Sequence, residues 1–330
     1  MKSRLMRLGQ ILVTILALGW VFRNPEMRRA TWVTLSSADM NWILLGILIS
    51  GIGEFANILR WYIFLRVQKI KVPLAHAASL YMIGVFFNLF LVGATGGDVV
   101  RTIYLAGEFP SKKGAVILSV IADRLIGLLV LIPYTFLIVA LRHDWLSQTP
   151  VTSGLLWFLI TFTICWTVVA VILFFVSLFN LVQKLPGRMP WREKLVNFSY
   201  ACSLFGRAKL EMLTCVALSI PVLFAVFGTF YCAAQAYHAG VSTGDICSIM
   251  PVVIVITSFP VSFSGVGIRE QLFQTLLGDL AGVPAEIAVL ISLAGFSIYV
   301  VWSLVGAGCY FLYKKADPVP CSSLSRGSAP

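Results

Sequence analysis

Several ionisable residues stand inside stretches that are otherwise apolar, and their spacing limits what they can do. In residues 90–101, FLVGATGGDVVR, an apolar run breaks on Gly93, Gly96 and Gly97 and leads into Asp98 and Arg101, one helical turn apart. Residues 259–270, FPVSFSGVGIRE, repeat the idea: Pro260, Gly265 and Gly267 precede Arg269 and Glu270. Glu54, Asn57 and Arg60 recur every third residue, which lays a polar strip along an apolar helix. Asp123 and Arg124 are adjacent. Neighbours cannot share a helix face, so each needs a partner on another helix.

Guanidinium offers paired donors and keeps its charge when poorly solvated, which makes Arg101 and Arg269 the candidates for binding a phosphate or another anionic headgroup. Backbone N–H groups at helix starts after Gly97 and Gly267 would add to such an anion site. Asp98 and Glu270 would hold these arginines or engage a cationic group. Structural roles compete with these. Asp98 fits a helix cap before Val99, and Arg124 with Glu54, or Arg60 with Asp123, fit interhelical pins as well as substrate contacts. His76 and Asn88 fit local pairing, and His143 and His238 fall near span ends with no metal-ligand spacing. GVGIRE lacks a preceding strand and the third glycine of a dinucleotide fingerprint.

These residues sit in a chain built for lipid. Of its 330 residues 59% are hydrophobic and 12% charged, with a mean hydropathy of +0.91, more apolar surface than a soluble fold can bury. The apolar runs are continuous rather than alternating, so they predict an all-α polytopic membrane protein and not a β-barrel. Six full spans are expected, near 8–22, 42–64, 114–141, 154–179, 212–236 and 285–313. The first follows Lys2, Arg4 and Arg7 without a small-x-small cleavage site and is expected to remain as an anchor.

Two further apolar pieces, 72–92 and 246–263, could cross or dip in and return. With both re-entrant and both termini cytoplasmic, Arg66, Lys69, Lys71, Lys112, Lys113 and the cations between residues 180 and 211 fall on the cytoplasmic side. The positive-inside rule favours that arrangement. Each half of a single 1–315 domain, about 1–150 and 151–315, would then carry one re-entrant element, entering from opposite faces as an inverted repeat does. Residues 190–207, with Trp191, Leu195, Phe198, Cys202 and Phe205 at steps of four and three, predict an amphipathic helix at the cytoplasmic surface. The Ser- and Pro-containing tail, 316–330, predicts disorder. Seven scattered cysteines without a CxxC pair imply neither a disulfide framework nor zinc.

Together, GATGGDVVR at 93–101, the pair Asp123 and Arg124, and SFPVSFSGVGIRE at 258–270 resemble the lysylphosphatidylglycerol synthase transmembrane region, also called the flippase-like family. The resemblance implies a membrane domain that moves a lipid across the bilayer in a bacterial inner membrane. Two-domain members also carry a cytosolic synthetic domain, for which a chain ending at 330 leaves no room, so translocation without aminoacyl transfer is expected. The substrate-binding set is then Gly96, Gly97, Asp98, Arg101, Gly265, Gly267, Arg269 and Glu270, supported by Glu54, Asn57, Arg60, Asp123 and Arg124.

Membrane lipids with an anionic or lipid-linked headgroup are the expected partners, with no nucleic acid and no cofactor; a homo-oligomer and a separate lipid-modifying enzyme stay open. The alternative is a membrane-embedded transferase on a lipid phosphate or polyprenyl carrier. The fourteen acids, without a DxD-type pair, argue against its metal-dependent form. No GxxxxGK[ST] occurs, so ATP is not the expected driver. Proton coupling through Asp98, Glu54 or Asp123 and passive facilitation both stand.

Overall fold

A computed structural model describes residues 38–89, 96–178, 205–258 and 267–313, with side chains through 168 in the second stretch. The expected span at 8–22, most of 190–207, the tail 316–330, and Gly93, Pro260 and Gly265 lie outside the described residues.

Nine α-helices occur among the described residues: α1 Met40–Val67, α2 Leu74–Asn88, α3 Gly96–Glu108, α4 Lys113–Leu146, α5 Pro150–Leu178, α6 Lys209–Ala236, α7 Thr243–Ser258, α8 Ile268–Ala281 and α9 Ala285–Leu312. Their ends follow local chemistry. Asp39 caps α1 by accepting the Asn41 N–H. Pro73, Pro150 and Pro284 stand at helix starts, where no intrahelical donor is lost. Gly282 ends α8 in the left-handed region at φ +66°.

Five described helices are long and apolar enough to cross a membrane, and they correspond to the expected spans beyond the first. The chain is an all-α polytopic integral membrane protein. By contrast α2, with 15 residues, reaches about 22 Å, short of a hydrocarbon core about 30 Å thick.

Contacts at the helix ends fix the topology. The Asp39 N–H, at the start of α1, donates to the Ala236 carbonyl at the end of α6 at 3.0 Å, so these two helices run in opposite directions. Beyond the far end of α1, the Lys69 carbonyl accepts from Lys112, just before α4, at 2.7 Å. On that same face His76, near the start of α2, lies 2.8 Å from Glu108 at the end of α3, and Tyr313 after α9 donates to Glu108. Burial and this hydrogen bond push the Tyr313 phenol above its ordinary pKa.

Helices α2 and α3 therefore form an antiparallel hairpin that opens on the Lys69 face. The α7–α8 hairpin opens on the opposite one: Arg142, at the end of α4, meets Asp245 at the start of α7, and Thr149 donates to Asp279 near the end of α8 at 3.1 Å.

The order long, short, short, long thus occurs twice, inverted, as α1–α4 and α6–α9. Packing follows the same exchange. The two first helices, α1 and α6, form the central pair, while α2 packs on α9 and α7 on α4. One face gathers Arg66, Lys69, Lys71, Lys112 and Lys113, and the other Asp39, Asp144, Asp245, Asp279 and Glu286.

Two close approaches depend on the absence of a side chain. A methyl group on Gly97 would lie 1.8 Å from the Gly84 carbonyl oxygen, where α3 leaves the break against α2, and one on Gly306 would lie 2.1 Å from the Met82 carbonyl oxygen. Backbone oxygens cannot swing aside as side chains can. Gly97→Ala is therefore expected to destabilise the folded protein by roughly 1–3 kcal/mol or more, measured by thermal unfolding in detergent. Gly107→Ala, in the same helix with no atom within 4 Å, should be neutral or slightly stabilising; equal stability for the two variants would contradict this hairpin.

Candidate functional site

Residues singled out for their charge converge from three helices, and a serine joins them from a fourth. Asp123, on α4, lies between two arginines: Arg60 of α1 donates from Nε to Oδ1 at 2.7 Å and Arg101 of α3 from Nη2 to Oδ2 at 2.9 Å. Asp98 pairs with Arg101 at 3.0 Å and with Arg124 at 2.6 Å, and Arg60 also donates to Ser219 of α6 at 2.9 Å. The result is a continuous chain, Arg124–Asp98–Arg101–Asp123–Arg60–Ser219. Arg60, Arg101 and Asp123 are buried. The adjacent pair finds its partners on other helices, Asp123 on α1 and α3 and Arg124 on α3.

Arg101 is held without being saturated. Its Cζ stands 4.7 Å from the Trp61 ring centroid and 4.9 Å from that of Tyr81, contacts worth about 0.5–2 kcal/mol each when desolvated. One nitrogen, Nη2, makes both carboxylate contacts, while Nε and Nη1 are buried without a hydrogen-bond partner. Trp61, from its other side, donates Nε1 to Ser119 at 3.3 Å.

The second half builds a different cluster. Arg269 donates from Nε to Ser292 at 3.0 Å and from Nη2 to Glu270 at 3.2 Å, and Ser292 in turn donates to Glu270 at 3.0 Å. The Phe296 ring lies 4.7 Å from the Arg269 Cζ.

Two sequence expectations need correction. Arg124 pairs with Asp98, not Glu54, because α3 lies against α4 and presents Asp98 first. Asp98 is not the cap of a helix starting at Val99; α3 begins at Gly96, and Asp98 sits in its first turn as a counterion. The N–H groups of Gly97 and Gly267 themselves, ahead of the amides expected to serve an anion, are already engaged. Gly97 donates to Asn88 Oδ1 at 2.8 Å, and Gly267, at φ +88°, donates to the Glu270 carboxylate.

One cavity of about 650 Å³ joins the halves. Its polar wall carries Glu54, Asn57, Arg60, Asp98, Arg101, Asp123 and Arg124 from the first half and Arg269 from the second. Most of the rest is apolar and includes Leu128, Leu131, Phe162, Leu223, Val253 and Ile254. Gly96, Gly97, Gly267 and Glu270 do not line it. Sequence reasoning missed Tyr81, Ser219, Tyr299 and Ser303, which do; a hydroxyl at membrane depth is the one signal that could have marked them. Among the described residues no three His, Cys, Asp or Glu side chains converge as a metal site.

Residues 7–308 match the profile of the lysylphosphatidylglycerol synthase TM region. A UPF0104 membrane protein of Pyrococcus horikoshii is similar at 28% identity over 141 residues, which make up 42% of this chain and 40% of that relative. The chain thus spans about two fifths of the length of the curated relative it matches.

Removing the carboxylate that two buried arginines share takes from Arg60 its carboxylate partner and leaves Arg101 to share Asp98 with Arg124. Asp123→Asn is expected to cost about 3–5 kcal/mol of stability, measured by thermal unfolding in detergent. Arg124→Gln, with its side chain 47% exposed, should cost about 1 kcal/mol or less; equal losses would show that Asp123 does not hold the cluster.

Proposed function

The chain belongs to the lysylphosphatidylglycerol synthase TM-region family, and on that footing we propose that it is a translocase moving a phospholipid or lipid-linked phosphate across the bilayer. The observation that carries this reading is that arginines from the return helices of both inverted hairpins, Arg101 and Arg269, stand on the wall of one cavity that pairs a charged patch with a mostly apolar lining. A headgroup phosphate would occupy the open Nε and Nη1 donors of Arg101. The apolar lining of α4, α5, α6 and α7 would take the first part of the lipid tails. A volume of about 650 Å³ suits a headgroup with part of its chains rather than a whole lipid.

Inverted hairpins around a central pair provide the element an alternating mechanism needs: rocking one half against the other exposes the same site to each face in turn. The chain works as one transmembrane unit whose halves divide near residue 150. The lysine-bearing face is cytoplasmic by the positive-inside rule, with the end of α9 on that side of a plasma membrane. Arg269 acts from the opposite wall as the second phosphate contact, with Glu270 and Ser292 fixing its position.

Native mass spectrometry of lipids retained by the purified protein tests the site. The wild type should keep one phosphate-bearing lipid class enriched over the bulk membrane. Arg101→Ala should lose that enrichment about tenfold or more, the loss of a charge-assisted hydrogen bond worth about 1.5–3 kcal/mol, and Arg269→Ala should weaken it in the same direction. A retained-lipid profile identical to the bulk and blind to both substitutions would overturn the assignment.

A further inference from the structure

Three carboxyl groups line the cavity among the described residues, and cations match two of them. Asp98 has Arg101 and Arg124, and Asp123 has Arg60 and Arg101. Glu54 forms no ion pair among the described residues, and its Oε2 is buried without a hydrogen-bond partner. Its immediate neighbours, Asn57 on α1 and Tyr81 on α2, are neutral, as is Tyr299 on α9. The charged groups on the same cavity wall are Arg60 on its own helix, Asp98 and Arg101 on α3, Asp123 and Arg124 on α4, and Arg269 on α8.

An unmatched acceptor and an unsaturated donor therefore share one cavity. Arg101 spends a single nitrogen on its two carboxylates and keeps Nε and Nη1 without an acceptor. Either a lipid phosphate or an ionised Glu54 could occupy those donors, but two anions cannot share them in a poorly hydrated space. We propose that Glu54 carries the proton of the transport cycle, gaining it when a lipid phosphate occupies Arg101 and losing it when the phosphate leaves. This inference rests on the translocase reading above and gives that cycle its energy source.

The cost of the alternatives singles out Glu54. A proton on Asp123 would take from buried Arg60 its carboxylate partner, and one on Asp98 would weaken its pairs with Arg101 and Arg124. A proton on Glu54 breaks no ion pair. The step is an exchange with water alone: the Glu54 carboxylate takes H⁺ from cavity water while the cavity opens to one face and returns it to water when the cavity opens to the other. One O–H bond is made and broken in each cycle. Lipid and proton then cross together, so a pH gradient drives lipid toward the leaflet on the alkaline side.

The experiment uses the full chain in vesicles of phosphatidylethanolamine and phosphatidylglycerol, with a trace of either lipid carrying a fluorescent label that an added reductant quenches in the outer leaflet. At a pH difference of about one unit, a one-to-one coupling biases the labelled lipid toward the alkaline side by up to about tenfold. Glu54→Gln, which keeps the shape and removes the titrating oxygen, should lose this gradient-driven bias, and Glu54→Asp should retain part of it. Infrared difference spectra should show a protonated-carboxyl band that grows when lipid is added to the wild type and is missing from Glu54→Gln. Lipid movement in the wild type that is blind to the gradient, or a Glu54→Gln bias equal to the wild type, overturns the proton role and leaves translocation standing. No movement of either lipid by the wild type overturns both.

Discussion

A carboxylate at membrane depth is tolerable only when its charge is answered, and the first half of this molecule is arranged around answering Asp123. Its two oxygens face different helices, Arg60 on α1 and Arg101 on α3, so one side chain on α4 sets the distance between a membrane-crossing helix and the returning arm of a hairpin. Ser219 extends the link to α6. Without a charge at residue 123, the buried level of the hairpin would be positioned mainly by apolar packing, which a lipid environment barely rewards, since tails compete on equal terms. Direction comes instead from hydrogen-bonded charge and from the Gly97–Gly84 contact, which lets the two arms approach closely enough for Arg101 to reach its partner.

The inverted repeat does not extend to the chemistry. In the first half the arginine of the return helix shares carboxylates with two other arginines and is clamped between Trp61 and Tyr81. In the second, Arg269 has one carboxylate, a serine and a single ring, and that carboxylate also caps its own helix. Among the described residues the first cluster keeps two buried donors of Arg101 without a hydrogen-bond partner. Two halves of similar shape therefore present unlike walls to one cavity, as suits a site that binds on one side and supports on the other.

Much of this architecture was legible because the membrane imposes lengths. Apolar runs near 20 residues marked the five described spans, and the glycine breaks together with the lysine and arginine distribution separated the crossing segments from the returning ones. The partners of the charged residues were less legible. Arg60 with Asp123 was one of two pairings the sequence allowed, and the other failed because α3, whose lateral position no periodicity reveals, puts Asp98 in front of Arg124. The amides of Gly97 and Gly267 are taken by Asn88, nine residues away, and by Glu270, three residues on, and only the second of these contacts has a spacing that a sequence encodes. Trp61 and Tyr81 were hidden for a different reason: an aromatic residue in an apolar run has the same signature whether it faces lipid or covers a guanidinium.

The contrast between satisfied and unsatisfied groups distinguishes a pin from a site. Arg60 and Asp123 are matched to each other and buried, and a pair in that condition resists exchange because every alternative leaves a charge alone in a medium that penalises it heavily. Arg101 and Glu54, on the same wall, each keep an unmet hydrogen-bonding capacity. A structure that only had to hold its helices together would gain by closing that gap, since a half-satisfied polar network is less stable than a complete one. Its persistence beside these matched pairs is what the proposed carrier would require: the fixed pairs hold Arg101 in place, and its unpaired donors are left to trade one anion for another.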